Sequence, residues 1–307
     1  MDRKRILITG SNGLLGQKLV SQLKVHKNFE LIATSIGANR SKEVSNQDYY
    51  SLDITKPQEI RDLFHSLKPE IVINTAAMTN VDACESRKKE CWELNVLGVG
   101  HLVEACHGIN AHLIQLSTDF VFDGEDGPYD EDAQPNPISY YGQSKFAAEK
   151  IIQESDLKKW SIVRTIILYG FAEDMSRSNI VLWAKEALEK GNPIDVVDDQ
   201  FRSPTLVEDL ADGCIAIASR NAQGIYHLSG EETMSILELV NKVGDFFKLD
   251  TSMINPIKSE ALGQAAKRPP VTGFNINKAK QELGYSPKLF IEGLEILSQQ
   301  LEGKEQL

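Results

Sequence analysis

The chain has 307 residues, with 33 Lys and Arg against 44 Asp and Glu, for a formal net charge of −11. That length suits one large domain or two coupled ones and is ample for a self-sufficient core. A 41% hydrophobic and 25% charged content excludes disorder, and the negative balance argues against nucleic acid or an anionic membrane surface as partner.

The basic start Met1–Arg5 is followed by an apolar run of only Ile6 to Ile8. An export signal needs a core of about 7–15 such residues, so none is expected. No stretch reaches the ~18 apolar residues of a membrane span, because Arg164 breaks the run near Ile166. Cys84, Cys91, Cys106 and Cys214 form no C-x-x-C pair. Buried free thiols and a cytoplasmic setting are the expectation.

Short apolar runs alternate with helical patterns. Strands are predicted at Arg5–Ile8, Glu30–Thr34, Tyr49–Leu52, Ile71–Asn74, Leu113–Ser117 and Ser161–Leu168. Helices are predicted at Leu14–Leu23, Gln58–Leu67, Lys88–Cys106 and Tyr140–Ile152. Such alternation specifies an α/β fold with a parallel sheet covered on both faces. After Gly170 the rhythm changes: helices at Ile180–Leu188, Val207–Ala218, Ser235–Phe247, Asn277–Leu283 and Ile291–Leu301 are joined by strands at Ile194–Val197 and Ile225–Leu228. The expected division is a sheet domain from 1–170 and 205–230, and a smaller, mostly helical substrate lobe from 171–204 and 231–307.

Between the first strand and first helix lies Thr9-Gly10-Ser11-Asn12-Gly13-Leu14-Leu15-Gly16. Gly10 allows a tight turn, Gly13 lets backbone approach a pyrophosphate, and Gly16 permits close helix–sheet packing. The helix N-terminus offers amides and partial positive charge to phosphate. In this strand–turn–helix context the pattern reads as a dinucleotide site on a doubly wound, Rossmann-type sheet. A P-loop fits less well, because Gly16 is followed by Gln17 rather than Lys and a hydroxyl residue. The second strand ends at Thr34-Ser35-Ile36 in place of the acid usual in an NAD site, with Arg40 and Lys42 just beyond. A basic residue there suits the extra phosphate of NADP(H), favoured over NAD(H), although a solvated Arg40 is the plain alternative.

Tyr141 and Lys145 stand four apart, on one helical face. A free phenol titrates near 10, and a neighbouring ammonium draws it down. Such pairs arise by chance; the position carries more weight, because this one opens a helix just after the fifth strand. At that strand's end stands Ser117-Thr118-Asp119, where ligands of doubly wound sheets bind. Thr118 can hydrogen-bond a reacting carbonyl, or serve only as a turn cap.

Together these residues resemble the extended short-chain dehydrogenase/reductase superfamily. The blocks are Thr9–Gly16, Asp53–Thr55, Asn74–Asp82, Ser117–Gly124, Tyr141–Lys145, Val197–Thr205 and Arg268–Pro269. The S-T-D-F-V-F and D-D-Q-F-R-S-P-T blocks are similar to the dTDP-4-dehydrorhamnose reductase branch. The resemblance implies catalytic Thr118, Tyr141 and Lys145, with Asp53 and Ile54 flanking the adenine, Ala76 and Ala77 lining the middle of the cofactor, and Asp119 holding substrate. It implies NADPH-dependent reduction of the C4 ketone of a nucleotide-linked 6-deoxy-4-keto sugar. Asn179, Arg202 and Arg268 are expected to grip the nucleotide diphosphate, Arg because its fork matches phosphate oxygens.

Phe120 departs from the tyrosine common after S-T-D, and Arg202 from a common glycine. Phe120 also stands where sugar-nucleotide dehydratases carry Glu, which disfavours water elimination. An epimerase, or a regulatory role like that of the methionine adenosyltransferase subunit that resembles this family, remains compatible. No metal-ligand spacing is present among the six histidines. A homodimer is compatible with the sequence. Asn95, inside a predicted helix, needs a hydrogen-bond partner if buried.

Overall fold

The computed structural model describes every residue except 1–2, 43, 46–47, 175–176 and 306–307. Met1 and Asp2 of the basic start lie outside the described residues.

Seven strands form one parallel sheet: β1 (Lys4–Thr9), β2 (Phe29–Ser35), β3 (Tyr49–Ser51), β4 (Ile71–Asn74), β5 (His112–Thr118), β6 (Trp160–Thr165) and β11 (Gly224–His227). Their order is β11-β6-β5-β4-β1-β2-β3, the doubly wound arrangement that the sequence alternation predicts. Strand pleating explains the continuous apolar runs. Ile6 and Ile8 enter one core while Leu7 enters the other. Ile71, Ile73 and Ile114 follow the first pair; Val72 and Leu113 follow Leu7.

Helix α1 (Leu14–Lys24) covers the first face, burying Leu15, Leu19, Val20 and Leu23. The opposite face is covered by α2 (Pro57–Leu67), with Ile60 and Phe64 buried, and by helices described below. Chain direction across the sheet reverses between β1 and β4. Ligands of open parallel sheets bind at such a switch point, beyond the carboxyl ends of the strands.

Two expected elements break. A single helix over Lys88–Cys106 is replaced by α4 (Lys88–Trp92), a π-helical turn at Glu93–Leu97 and α5 (Gly98–Ile109), with α3 (Val81–Ser86) preceding them. Asn95 sits in the π turn and reaches outside the helix, as described below. The strand expected over Ser161–Leu168 ends at Thr165. Ile167 adopts φ +25°, a sparsely populated backbone state for a β-branched residue, and the chain leaves the sheet there.

Beyond it, β7 (Leu168–Tyr169) pairs with β10 (Thr205–Leu206). Helix α6 (Tyr140–Gln153) precedes this break, and α7 (Ile180–Glu189) and α8 (Val207–Arg220) follow it. Strand β8 (Ile194–Val197) pairs with β13 (Ile254–Ile257), while β9 (Phe201–Arg202) lies between β12 (Met234–Ser235) and β14 (Val271–Thr272). Two-residue strands carry no readable periodicity, so the sequence does not announce them. Helices α7, α9 (Ile236–Phe247) and α11 (Phe290–Glu305) share a separate core through Val181, Leu239, Val243 and Leu294. Ala279 and Leu283 of α10 (Asn277–Leu283) instead pack into the first core of the sheet.

The glycine turn shows how tightly α1 sits on β1. A Cβ on Gly16 would lie 2.2 Å from the Gly10 carbonyl oxygen, a backbone atom unable to yield. Gly16→Ala is therefore expected to lower stability by about 1–3 kcal/mol through overpacking, read as a fall in the thermal unfolding midpoint.

Candidate active site

The carboxyl ends of β1 and β4 are tied to the middle of β5 by buried side chains. Thr9 Oγ1 donates to Asn74 Oδ1, and Asn74 Nδ2 donates to Gln115 Oε1 at 2.7 Å. Gly10, with φ +69°, packs against the Ala76 backbone, where a Cβ would lie 2.9 Å from the Ala76 nitrogen. Gly13 caps α1 without any side-chain hydrogen bond, and no acid occupies the first turn. Ser11, Leu15 and Gly16 are buried, whereas Gly13 is exposed and Asn12 and Leu14 are half-buried. This is a narrow glycine turn at a helix N-terminus, whose amides and partial positive charge can receive a phosphate.

Asn12 organises the neighbouring loop. The Arg40 amide donates to Asn12 Oδ1 at 2.9 Å, and Asn12 Nδ2 donates to the Ala38 carbonyl at 2.9 Å. The Tyr49 hydroxyl closes the same loop by donating to the Gly37 carbonyl at 2.8 Å. Arg40 itself is exposed. Asp53 follows β3 and accepts from the Thr55 amide and hydroxyl at 2.9 and 2.7 Å. Ile54 is buried beneath Gly98 of α5, and Ala76 and Ala77 line the end of β4, half-buried.

The second cluster lies at the end of β5. Ser139 caps α6, its hydroxyl accepting from the Gly142 amide at 3.1 Å. A Cβ on Gly142 would lie 2.1 Å from the Phe120 carbonyl oxygen. The start of α6 is thereby pressed onto the turn at Asp119–Val121, with Tyr141 beside Thr118. Thr118 Oγ1 accepts from the Phe120 amide at 3.2 Å and donates to Asp119 Oδ1 at 3.0 Å. Lys145 Nζ donates to the Leu116 carbonyl at 2.7 Å. Tyr141 and Lys145 are both buried.

Burial pushes the Tyr141 phenol well above its ordinary value, while its hydrogen bond with Thr118 draws it partway back. This is opposite in sign to the pull expected of Lys145: desolvation of the phenolate is the larger effect. The phenol therefore stays protonated at neutral pH. Burial also draws Lys145 down to about 8, against the Glu149 carboxylate, which favours the ammonium.

The floor is made of residues whose partners the sequence does not reveal. Cys84 and Cys91 pack under Tyr141, and both are free thiols. Asn95 Oδ1 accepts from the Met78 amide at 2.8 Å, and its Nδ2 donates to the Met78 carbonyl and Ser144 Oγ, both at 3.1 Å. The π turn aims this side chain so that one amide joins the segment after β4 to α6.

Asp119 and Arg202 are both buried, with Arg202 Nε 3.7 Å from Asp119 Oδ2. Thr272 Oγ1 also donates to Asp119. The Arg202 fork is engaged by backbone: Nη1 donates to the Phe201 and Pro270 carbonyls at 2.7 and 3.2 Å, and Nη2 to Pro269 at 2.6 Å. Arg268 grips Asp82 through both of its terminal nitrogens, at 2.6 and 3.2 Å. Asn179 caps α7, accepting from the Leu182 amide at 3.2 Å, and donates to the Gly170 carbonyl at 2.7 Å. These three stand around the lobe, each already bonded within the chain. Phe120 presents its ring edge-on to Tyr141, with centroids 5.8 Å apart.

Glu149, Ser144 and Arg164 are the neighbours that sequence reasoning passes over. The signal was available: Tyr141, Lys145 and Glu149 recur every four residues, and Arg164 interrupts an apolar strand. Among the described residues, no group of three or more His, Cys, Asp or Glu side chains is placed to hold a metal ion. No helix among them is long and apolar enough to cross a membrane.

Comparison with known proteins places this geometry. The family model described as the RmlD substrate binding domain matches residues 4–302. A dTDP-4-dehydrorhamnose reductase structure from Clostridium acetobutylicum superposes with a TM-score of 0.86 at 31% identity, covering 97% of this chain and 99% of that one. A dTDP-4-dehydrorhamnose reductase from Bacillus anthracis, solved in complex with NADP, gives 0.84 at 30%, covering 97% and 100%. Among curated proteins, methionine adenosyltransferase 2 subunit beta of Xenopus tropicalis is 32% identical over 271 residues, spanning 87% of this chain and 78% of that protein.

Proposed function

The chain belongs to the RmlD substrate binding domain family, and we propose that it is an NADPH-dependent reductase of the C4 ketone of a nucleotide-linked 6-deoxy-4-keto sugar, converting dTDP-4-dehydrorhamnose to dTDP-rhamnose. The observation that carries this reading is a buried Tyr141 phenol beside Thr118 at the end of β5, kept protonated by burial, on the sheet edge that also carries the glycine turn. The relatives solved as dTDP-4-dehydrorhamnose reductases, one with NADP, support the substrate and cofactor class.

The cradle fits a dinucleotide because Gly10 and Gly16 let β1, the segment after β4 and α1 close on one another with no Cβ between them, which leaves the exposed Gly13 and the α1 N-terminus open to a diphosphate. Gly10 to Gly16 would hold the diphosphate, Asp53 and Ile54 the adenine, Ala76 and Ala77 the middle, and Arg40 a ribose phosphate. Bound there, the nicotinamide supplies a hydride. Tyr141 gives its proton to the alkoxide forming on the sugar. The phenol's raised pKa keeps it in the protonated form that a donor needs. The Thr118 hydroxyl, which donates to Asp119 Oδ1 in the free site, turns its one proton to the same oxygen when substrate binds, stabilising charge where it develops. The Lys145 ammonium steadies the phenolate left behind and can bond the ribose. Asp119 holds Thr118 in place through that hydrogen bond until substrate takes the proton. Of the three residues expected at the substrate's diphosphate, Arg268 would exchange Asp82 for phosphate oxygens, whereas the Arg202 fork and the Asn179 amide are spent on the chain's own carbonyls.

A second reading has a specific support, the similarity to methionine adenosyltransferase 2 subunit beta. On that reading the chain binds cofactor and acts through a protein partner without turnover. Steady-state assay of NADPH oxidation with dTDP-4-dehydrorhamnose separates the two. Wild type is expected to turn over, and Tyr141→Phe to keep NADPH binding while losing at least about a hundredfold in rate, the scale of general acid catalysis. Near-wild-type rates in the variant would exclude Tyr141 as the proton donor, and no turnover in wild type with NADPH bound would favour the regulatory role. Arg40→Ala is expected to weaken NADPH binding more than NADH binding in titration calorimetry. Equal loss for both would remove the case for a phosphate contact at Arg40.

A further inference from the structure

Beneath Lys145 lies a charged group that the reaction as described does not use. Glu149, one helical turn further along α6, is fully buried. Ser117 Oγ donates to its Oε1 at 2.5 Å, Arg164 Nε to the same oxygen at 3.0 Å, and Arg164 Nη2 to Oε2 at 2.7 Å. Arg164 is itself buried, 5.1 Å from the Phe122 ring centroid, and donates to the Glu131 carbonyl at 3.3 Å. Its Nη1 also lies 3.4 Å from His227 Nε2.

We infer that Glu149 is a positioning residue: a buried carboxylate, ion-paired to Arg164 and one helical turn from Lys145 on the same face of α6, that keeps the Lys145 ammonium charged and seated on the Leu116 carbonyl. The inference rests on the proposed reductase chemistry for its consequence, though not for its geometry.

The physical argument is a matter of which cation can yield. A buried charge without a partner costs several kcal/mol. Arginine does not release its proton within a protein, whereas a buried lysine does so readily. Whenever the carboxylate is lost, Lys145 must therefore answer for the surplus positive charge. The groups facing this pair from neighbouring elements do not replace Glu149. His227 on β11 is held neutral, because burial drives its pKa well below the ordinary value. The thiols of Cys84 on α3 and Cys91 on α4 favour the ammonium, but less strongly than Glu149 does. Asp119 on the turn after β5 is committed to Thr118, Thr272 and Arg202, and Tyr141 remains a neutral phenol.

Two variants pull in opposite directions. Glu149→Gln keeps the shape and removes the negative charge, so the Lys145 midpoint, about 8 in the native chain, is expected to fall by about one unit or more. Arg164→Met leaves Lys145 as the carboxylate's remaining cation, so the midpoint is expected to rise. Glu149→Asp should restore the native value within about half a unit. The measurement is an NMR titration of 15N-lysine-labelled protein with NADP bound, the Lys145 signal assigned with Lys145→Arg. In parallel, the alkaline limb of kcat/KM for NADPH oxidation is recorded, where Glu149→Gln should lose about fivefold at pH 8 for a one-unit fall and progressively less toward pH 6.

A purely structural role predicts lower stability with the Lys145 midpoint unchanged, or moved in the same direction by both variants; either result overturns the inference. If Glu149→Gln does not fold, Arg164→Met decides alone: a rise supports the inference, and no change or a fall ends it. The titration needs no sugar substrate. Shifted midpoints without turnover would sink the proposed reaction and leave this inference standing, whereas turnover with unmoved midpoints would do the reverse.

Discussion

Everything at the candidate site depends on how α6 is fastened to the end of β5. Gly142 brings the helix start onto the Phe120 carbonyl, Lys145 reaches the Leu116 carbonyl, and Glu149 holds Ser117 and Arg164. Contacts recurring over successive turns of one helix meet the end of β5, the turn that follows it and the neighbouring β6. The phenol, the ammonium and the Thr118 hydroxyl are thus fixed by main-chain geometry as much as by their own bonds. A displacement of α6 by an ångström would disturb all three together.

The fastening is electrostatically expensive, which is informative. Burying Lys145, Glu149, Arg164, Asp119 and Arg202 in one molecule brings little net stability compared with apolar packing. Buried charges of this kind shift pKa values, and shifted pKa values mark sites of chemistry. Here the two important shifts diverge. Burial holds Tyr141 protonated, as a proton donor in reduction must be, and brings Lys145 to about 8, close to its working range. The lobe uses the same means differently: Arg202 ties β9 to the 269–270 carbonyls and to Asp119, so the turn carrying Thr118 is braced from both sides.

Much of the sheet was legible because its strands are buried on both faces and its helices carry a regular apolar stripe. The glycine turn and the Tyr141/Lys145 pair were legible because their spacing is local. What escaped was non-local. The π turn at Glu93–Leu97 exists because Asn95 bonds Met78 and Ser144, partners distant in sequence. The sheet ends at Thr165 because Ile167 turns the chain into a lobe built of strands too short to have a period. The sign of the Tyr141 shift could not be read from spacing either. Four-residue spacing shows that an ammonium is near, but only the fold shows how completely the phenol is withdrawn from water. Arg202 and Arg268 were chosen for their forks, and their bonding to Pro269 and Asp82 becomes visible only in three dimensions.

The central claim is that this site delivers a hydride to a sugar carbon, and it is tested most directly by isotope. The chain is incubated with dTDP-4-dehydrorhamnose and NADPH deuterated at nicotinamide C4 on one face, then on the other, and the sugar nucleotide is analysed by mass spectrometry. The account predicts a product heavier by one deuterium with one of the two labelled faces, located at sugar C4. Recovery of unlabelled, unreduced sugar from both incubations, with NADPH bound to the protein throughout, would contradict it.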